Sequence, residues 1–358
     1  MHDRLPLKRF VGWIFLGILT YIVVSLGAVS FGAAEIGFNQ SMRILLSLLP
    51  FRGTDGGADS ASVRMIILQV RLPRVVLSGL VGMALSLSGA VLQAVFRNPL
   101  AEPYLLGISS GAGLGASIGI ILTPVIGVFP LLSGFGIIGL SAFLGALGFT
   151  LIVYLLARVI SPNRSQAILL AGVGLGVMGS AGISVLMFLY SRHLEQIVFW
   201  TMGSFSAANW DRVALVAPVV VLASLIIFFL HREVTILSWG GGTGHILGMR
   251  VDAVRRTLLV ITSLLTAFSV ASAGVIGFVG LVVPHILRSW VGVDHRRVLP
   301  LSALGGGIFL ILADTLARTL VSPREIPVGV LTALLGGPIF IWRILMPQGS
   351  GKDAGYEW

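Results

Sequence analysis

From Val75 to Phe96 the chain runs 22 residues without a charge, and a bilayer core about 30 Å thick takes about 20 helical residues to cross. Arg71 and Arg74 stand at one mouth of this run. At the other, Arg97-Asn98-Pro99-Leu100-Ala101-Glu102-Pro103 cannot continue a helix, because each proline lacks a donor and pushes the residue before it out of the α region. The run is therefore a membrane span with an arginine pair at one end and a forced turn at the other.

The same logic extends along the chain. Charge-free runs occupy Phe10 to Ala34, Val75 to Phe96, Pro103 to Ala157, Ser165 to Ser191, Val213 to Leu230, Thr257 to Leu287, Val298 to Ala313 and Ile326 to Trp342. The third is 55 residues long, enough for two spans broken near Pro124, Pro130 and Gly134. Thr257 to Leu287, at 31 residues, exceeds one untilted span, and Gly274, Gly277, Gly280 and Pro284 offer places to divide it. The first run, 25 residues, is too long for the apolar core of a signal peptide and is read as the first span, N-terminus inside. Ten spans place 15 of the 24 basic residues, among them Arg4, Arg343 and Lys352, on the inner side, and that bias supports ten over nine. The expected fold is an all-α, ten-span single domain over residues 1–358, with both termini cytoplasmic.

With 56% hydrophobic and 11% charged residues, against about 25% charged in ordinary soluble domains, the chain is an integral membrane protein in contact with lipid. Its net charge of +10 lies mainly in short loops, where it sets orientation, so no nucleic-acid partner is inferred. There is no cysteine, hence no disulfide framework or thiolate metal site. Small residues crowd the spans, at Gly79, Gly82, Ser86, Ser88 and Gly89 for example, which lets backbones approach in lipid and predicts a tight bundle. Two loops exceed what turns need. The external stretch 35–74 carries a polar segment, Arg52 to Gly57, and has room for a short helix around Asn39 to Leu49. The cytoplasmic stretch 231–256 mixes apolar residues with glycine and charge, as a protein-docking surface or a segment lying on lipid would.

Enzymatic motifs are sparse. Gly107-Ile108-Ser109-Ser110-Gly111 fits a nucleophile elbow, and with His285 it defines a distant alternative, an intramembrane serine hydrolase. Gly351-Lys352-Asp353 lacks the hydroxyl and helix of a phosphate-binding loop. The six histidines have no i, i+4 partner among themselves, so no metal site is expected. Asp314 sits one turn from Arg318, which suggests a local ion pair. Glu102 is positioned to cap the turn at Tyr104 and Leu105. The spans carry no mid-span carboxylate, which argues against ion-coupled transport.

Six ordered segments carry a family resemblance: RLPR at Arg71 to Arg74, SGAVLQAVFRNPLAEPYLLGISSGAGLG at Ser88 to Gly115, LLAGVGLG at Leu169 to Gly176, GFVGLVVPHILR at Gly277 to Arg288, DHRRVLP at Asp294 to Pro300, and EIPVGVLTALLGGPIFIW at Glu325 to Trp342. Over nearly its whole length the chain resembles the FecCD-type permease subunits of type II ABC importers, which take up iron chelates, haem and cobalamin. The resemblance implies a permease that is not itself an enzyme. It implies a pair of permease copies in the bacterial or archaeal cytoplasmic membrane, two cytoplasmic ATPase subunits holding ATP and magnesium, and an external binding protein. No cofactor is expected on this chain. A ferric siderophore is the favoured cargo, with haem and cobalamin as alternatives.

By the same resemblance, Arg71, Arg74 and Arg318 match arginines that pair with glutamates of the binding protein; snorkelling anchors are the plainer alternative. Asn98, Leu100, Ser165 and Gln166 fall at the cytoplasmic gate. Leu237, Ser238, Gly240, Gly241, His245, Leu247 and Gly248 fall in the loop that couples to the ATPase. There the chain departs from its relatives, with Gly240-Gly241-Gly242 where many carry a glutamate after the first glycine. Glycine costs about 1 kcal/mol relative to alanine inside a helix, so a softer coupling element, ordered on docking, is expected.

Overall fold

The computed structural model describes residues 7–32, 36–47, 61–126, 134–160 and 164–345, and all regular structure among them is helical. The Arg52 to Gly57 segment, Pro130, Arg4 and Lys352 lie outside these residues. The helices run α1 (Leu7–Ser30), α2 (Phe38–Leu46), α3 (Ala61–Met65), a π-helical stretch (Ile66–Arg71), α4 (Leu72–Phe96), a 3-10 turn (Pro103–Leu106), α5 (Ile108–Ile126), α6 (Gly136–Ile160) and α7 (Arg164–Leu189). After a 3-10 turn (Ser191–His193) follow α8 (Leu194–Thr201), α9 (Trp210–Phe229), α10 (His231–Trp239), α11 (Gly241–Ile246), α12 (Val251–Ala273), α13 (Val279–Val291), α14 (His295–Thr319) and α15 (Val328–Leu345). Seven of these stretches are long and apolar enough to cross a membrane, and α5, α13 and α15 contribute three shorter apolar helices. Together they account for the ten segments expected.

The axis of the bundle is α4. Nearly every residue from Pro73 to Phe96 is buried, enclosed by α14, α12, α13 and α9. Such enclosure requires small faces, since lipid supplies no hydrophobic drive to bring helices together. A Cβ on Gly82 would collide with the carbonyl of Gly306, and one on Gly89 with the carbonyl of Gly280. The second layer repeats the device: Gly111 abuts Gly145, and Gly115 abuts Ser141, locking α5 onto α6.

Two stretches differ from the sequence expectations. Helix begins at Ala61 rather than after Arg74, so the external connection is shorter than 35–74, and both arginines lie within one continuous helical rod. Of the cytoplasmic stretch 231–256, most is helical, and residues from Val251 onward already belong to α12. The short helix α2 lies where one was expected, whereas α8 was not foreseen; its Ile197 is almost wholly buried.

The long run Thr257 to Leu287 divides at Gly274–Phe278, not at Gly280 or Pro284, which lie inside α13. Non-helical backbone at this depth survives only where protein satisfies its polar groups. Tyr104 does so from across the bundle, its hydroxyl donating to the carbonyl of Ile276 at 2.8 Å and accepting from the Ile276 N–H at 3.1 Å. Ser204 N–H donates to Ala273 O at 2.7 Å, and Val328 N–H to Gly203 O at 3.0 Å, so the breaks before α9, α13 and α15 close on one another.

Gly82→Ala should lower the stability of the detergent-solubilised chain by about 1–3 kcal/mol, as overpacking does. Gly12→Ala, where an added Cβ meets nothing within 4 Å, should leave it unchanged or higher; thermal unfolding midpoints compare the two.

Candidate functional site

At the Arg71 end of the bundle, three arginines and Asp314 form a buried cluster, with Glu325 at its exposed edge. Arg71, Arg74 and Arg318 are 4%, 7% and 4% exposed, and Asp314 is 1% exposed. Arg74 meets Asp314 side-on, with Nε at 3.1 and 3.0 Å from Oδ1 and Oδ2 and Nη2 at 2.8 Å from Oδ1. Its Nη1 donates to Glu325 Oε1 at 2.9 Å. Arg318 stands 3.8 Å from Asp314, the i, i+4 pair expected from sequence, but Arg74 is the stronger partner.

The other guanidinium atoms cap a helix. The final carbonyls of any helix lack intrahelical donors and carry the negative end of its dipole. Arg71 Nη1 donates to Val29 O and Ser30 O, each at 3.0 Å, and Arg318 Nη2 donates to Ala28 O, so two arginines satisfy the end of α1. As placed in the structure these side chains neither snorkel to lipid headgroups nor present a free face: all three point inward and tie α1, α4, α14 and the entry to α15 together.

The opposite end holds the other expected residues. Arg97 closes α4 in a left-handed conformation, φ 49° and ψ 41°. Asn98 Oδ1 accepts from Leu100 N–H at 2.9 Å, an Asx turn that projects Leu100 into the open at 44% exposure. Glu102 does not cap the following turn. Ser165 and Gln166 lie in the first turn of α7, with Gln166 exposed. That helix packs along the Pro103–Leu106 turn, which is how the corner and the start of α7 come together.

Next to this corner lies the segment expected to couple to an ATPase. Leu237 is buried, anchoring α10, and Ser238 Oγ donates to Thr235 O at 2.6 Å. Gly240 joins α10 to α11 at φ 114°, ψ 149°, a conformation other residues avoid, and the Arg97 guanidinium lies 3.2 Å from where its Cβ would be. Gly241 begins α11, and Gly248, at φ 73°, ends the segment. Despite its glycines α11 is helical, because Gly244 is buried against Val251, Met249 and Ile236 and tertiary packing outweighs propensity. His245, Leu247 and Gly248 are exposed, and Trp239, Ile246 and Leu247 form an apolar tip at 64%, 88% and 58% exposure.

Sequence reasoning missed Tyr104, Gln93 and Glu325. Gln93 bridges α4 to α13, donating to Gly280 O at 3.2 Å and accepting from Arg288 Nη1. A polar residue inside the apolar run of α4 was the available signal. Ser109 and His285 are not brought into one constellation: α5 packs on α6 and α7, whereas α13 packs on α4 and α14.

A ten-segment all-α bundle of apolar helices, with buried arginines at one end and an exposed, glycine-jointed helix pair at the other, is the architecture of an integral membrane protein. The chain belongs to the FecCD transport family, whose model matches residues 18–346. It is 39% identical to the hemin transport system permease protein HmuU of Yersinia pestis over 347 residues, covering 96% of this chain and 98% of that one. It is 42% identical to the cobalamin import system permease protein BtuC of Halobacterium salinarum, covering 79% and 74% respectively. A solved structure described as a metal-chelate type ABC transporter in an inward-facing conformation superposes with a TM-score of 0.77 at 31% identity, covering 92% of this chain and 98% of that one. The relatives are ABC importer permeases, and none of them supports the hydrolase alternative.

Removing one partner from a buried ion pair strands the other without solvent, typically at a cost of about 3–5 kcal/mol. Asp314→Ala should therefore destabilise the purified chain on that scale and lower its yield. Glu325→Gln, at a half-exposed position, should cost far less in the same thermal unfolding assay.

Proposed function

We propose that this chain is the translocation subunit of an importer that carries a metal tetrapyrrole, haem or a corrinoid, into the cytoplasm, working as a pair of permease copies. The match to the hemin permease over nearly the full length of both chains carries this reading, and the cobalamin relative extends it to a second tetrapyrrole. The ferric siderophore favoured from sequence belongs to a class that the family and the metal-chelate structural neighbour also support, and haem and cobalamin, its alternatives, are preferred here on the named relatives.

We place the Arg97 end in the cytoplasm, because the apolar tip of Trp239, Ile246 and Leu247 is a patch that a soluble ATPase subunit would cover. ATP and magnesium belong to that partner. The corner at Asn98 and Leu100, with Ser165 and Gln166, forms the gate, and Arg97 over Gly240 joins gate to coupling segment. The Arg71 end then faces the external binding protein. Arg71, Arg74 and Arg318 act there by holding the platform rigid, which sets the register of the partner that docks on it.

Uptake into proteoliposomes holding this chain with its ATPase and binding protein tests the cargo. ATP-dependent accumulation of haem or cobalamin is expected, and accumulation of a ferric siderophore alone would overturn the tetrapyrrole reading. Replacing Ile246 and Leu247 together by aspartate should abolish co-purification of the ATPase while leaving the thermal midpoint of the permease unchanged, since both side chains are exposed.

A further inference from the structure

At the Arg71 end a cavity of about 740 Å³ opens between the C-terminal ends of α5 and α12, the start of α6, α8 and the entry to α15. That volume suits a ligand of several hundred daltons. Its walls are mainly apolar and aromatic, with Phe135, Phe199 and Trp200 among them. Among the described residues, Arg212 and Glu325 are the charged ones in the lining. Glu325 Oε1 is held by Arg74 at 2.9 Å. Arg212 is the cation of this lining and makes no ion pair with a described residue.

Its guanidinium is also set in place. Nη1 donates to Ser272 O at 2.8 Å, while Nε is buried with no acceptor. A guanidinium binds a carboxylate by two parallel hydrogen bonds, as Arg74 binds Asp314 in the neighbouring cluster. Ser204 and Ser206 add neutral hydroxyls to the same lining.

We infer that this cavity is a recognition site for a carboxylate carried on a flat apolar body, with Arg212 as the specificity-determining residue. The inference rests on the tetrapyrrole reading and divides its two members: haem carries two propionates on an apolar macrocycle, whereas the corrin periphery of cobalamin carries neutral amides. The structure therefore assigns haem over the corrinoid.

The test uses the full-length permease in phosphatidylcholine nanodiscs, titrated with haem, haem dimethyl ester and cyanocobalamin and followed by the haem absorbance band and tryptophan quenching. Esterification and Arg212→Gln should each weaken binding by about tenfold or more, the range for a charged hydrogen bond, and should not add when combined. Arg212→Lys should retain part of the affinity, and Ala207→Trp should block binding sterically; unchanged thermal midpoints exclude misfolding. Equal binding of ester and acid, or full affinity in Arg212→Gln, overturns the inference, as does displacement of haem by equimolar oleate, which would mark a lipid site. Uptake by the assembled transporter separates the two claims. If the unaltered transporter accumulates haem while Arg212→Gln binds and imports it normally, the cavity assignment falls and the cargo reading stands. If only a ferric siderophore binds and accumulates, both fall.

Discussion

Every backbone polar group in this chain that leaves helical geometry at membrane depth must find a partner in protein, and that requirement shapes the bundle around α4. A central helix enclosed on all sides can be reached by its neighbours only where side chains vanish, so Gly82 faces Gly306 and Gly89 faces Gly280 at backbone contact. The approach at Gly89 brings α13 close enough for Gln93 to bond the carbonyl of Gly280 and to accept from Arg288. It also holds the broken stretch Gly274–Phe278 where Tyr104 bonds both polar groups of Ile276.

The two ends of the bundle meet the same constraint with different chemistry. At one, the terminal carbonyls of α1 are satisfied by Arg71 and Arg318, and Asp314 with Glu325 keeps the third arginine from standing alone. Buried ion pairs stabilise little relative to an apolar core of the same volume. Here the cluster instead registers four helical elements against one another. At the other, charge gives way to turn geometry: Arg97 in a left-handed cap, the Asn98 turn and Gly240 at φ 114° hold the corner and the α10–α11 joint in contact.

Much of this was legible beforehand. The length of apolar runs set the number of segments, the prolines after Arg97 set the corner, and the small residues of α4 announced close packing. The roles of the arginines were not legible, because the carbonyls they satisfy lie some 40 or 290 residues away in α1 and no local pattern marks them. Tyr104 and Glu325 escaped for the same reason: each reads as an ordinary residue at a turn until its distant partner is known. The helix α8 was hidden by its shortness and by a charged start that made it resemble a loop.

The amino-acid sequence by itself determined that this chain lives in a bilayer, how many times it crosses and which family it belongs to, since hydropathy, run length and local motifs act over a few turns of chain. Only the tertiary structure decided which way the arginines face, that Glu325 pairs with Arg74, and that Arg212 lines a cavity without an ion pair to a described residue. Those outcomes depend on which groups meet across the bundle at about 3 Å, and in a medium that screens so little, such meetings decide whether a charge is structural or free to bind.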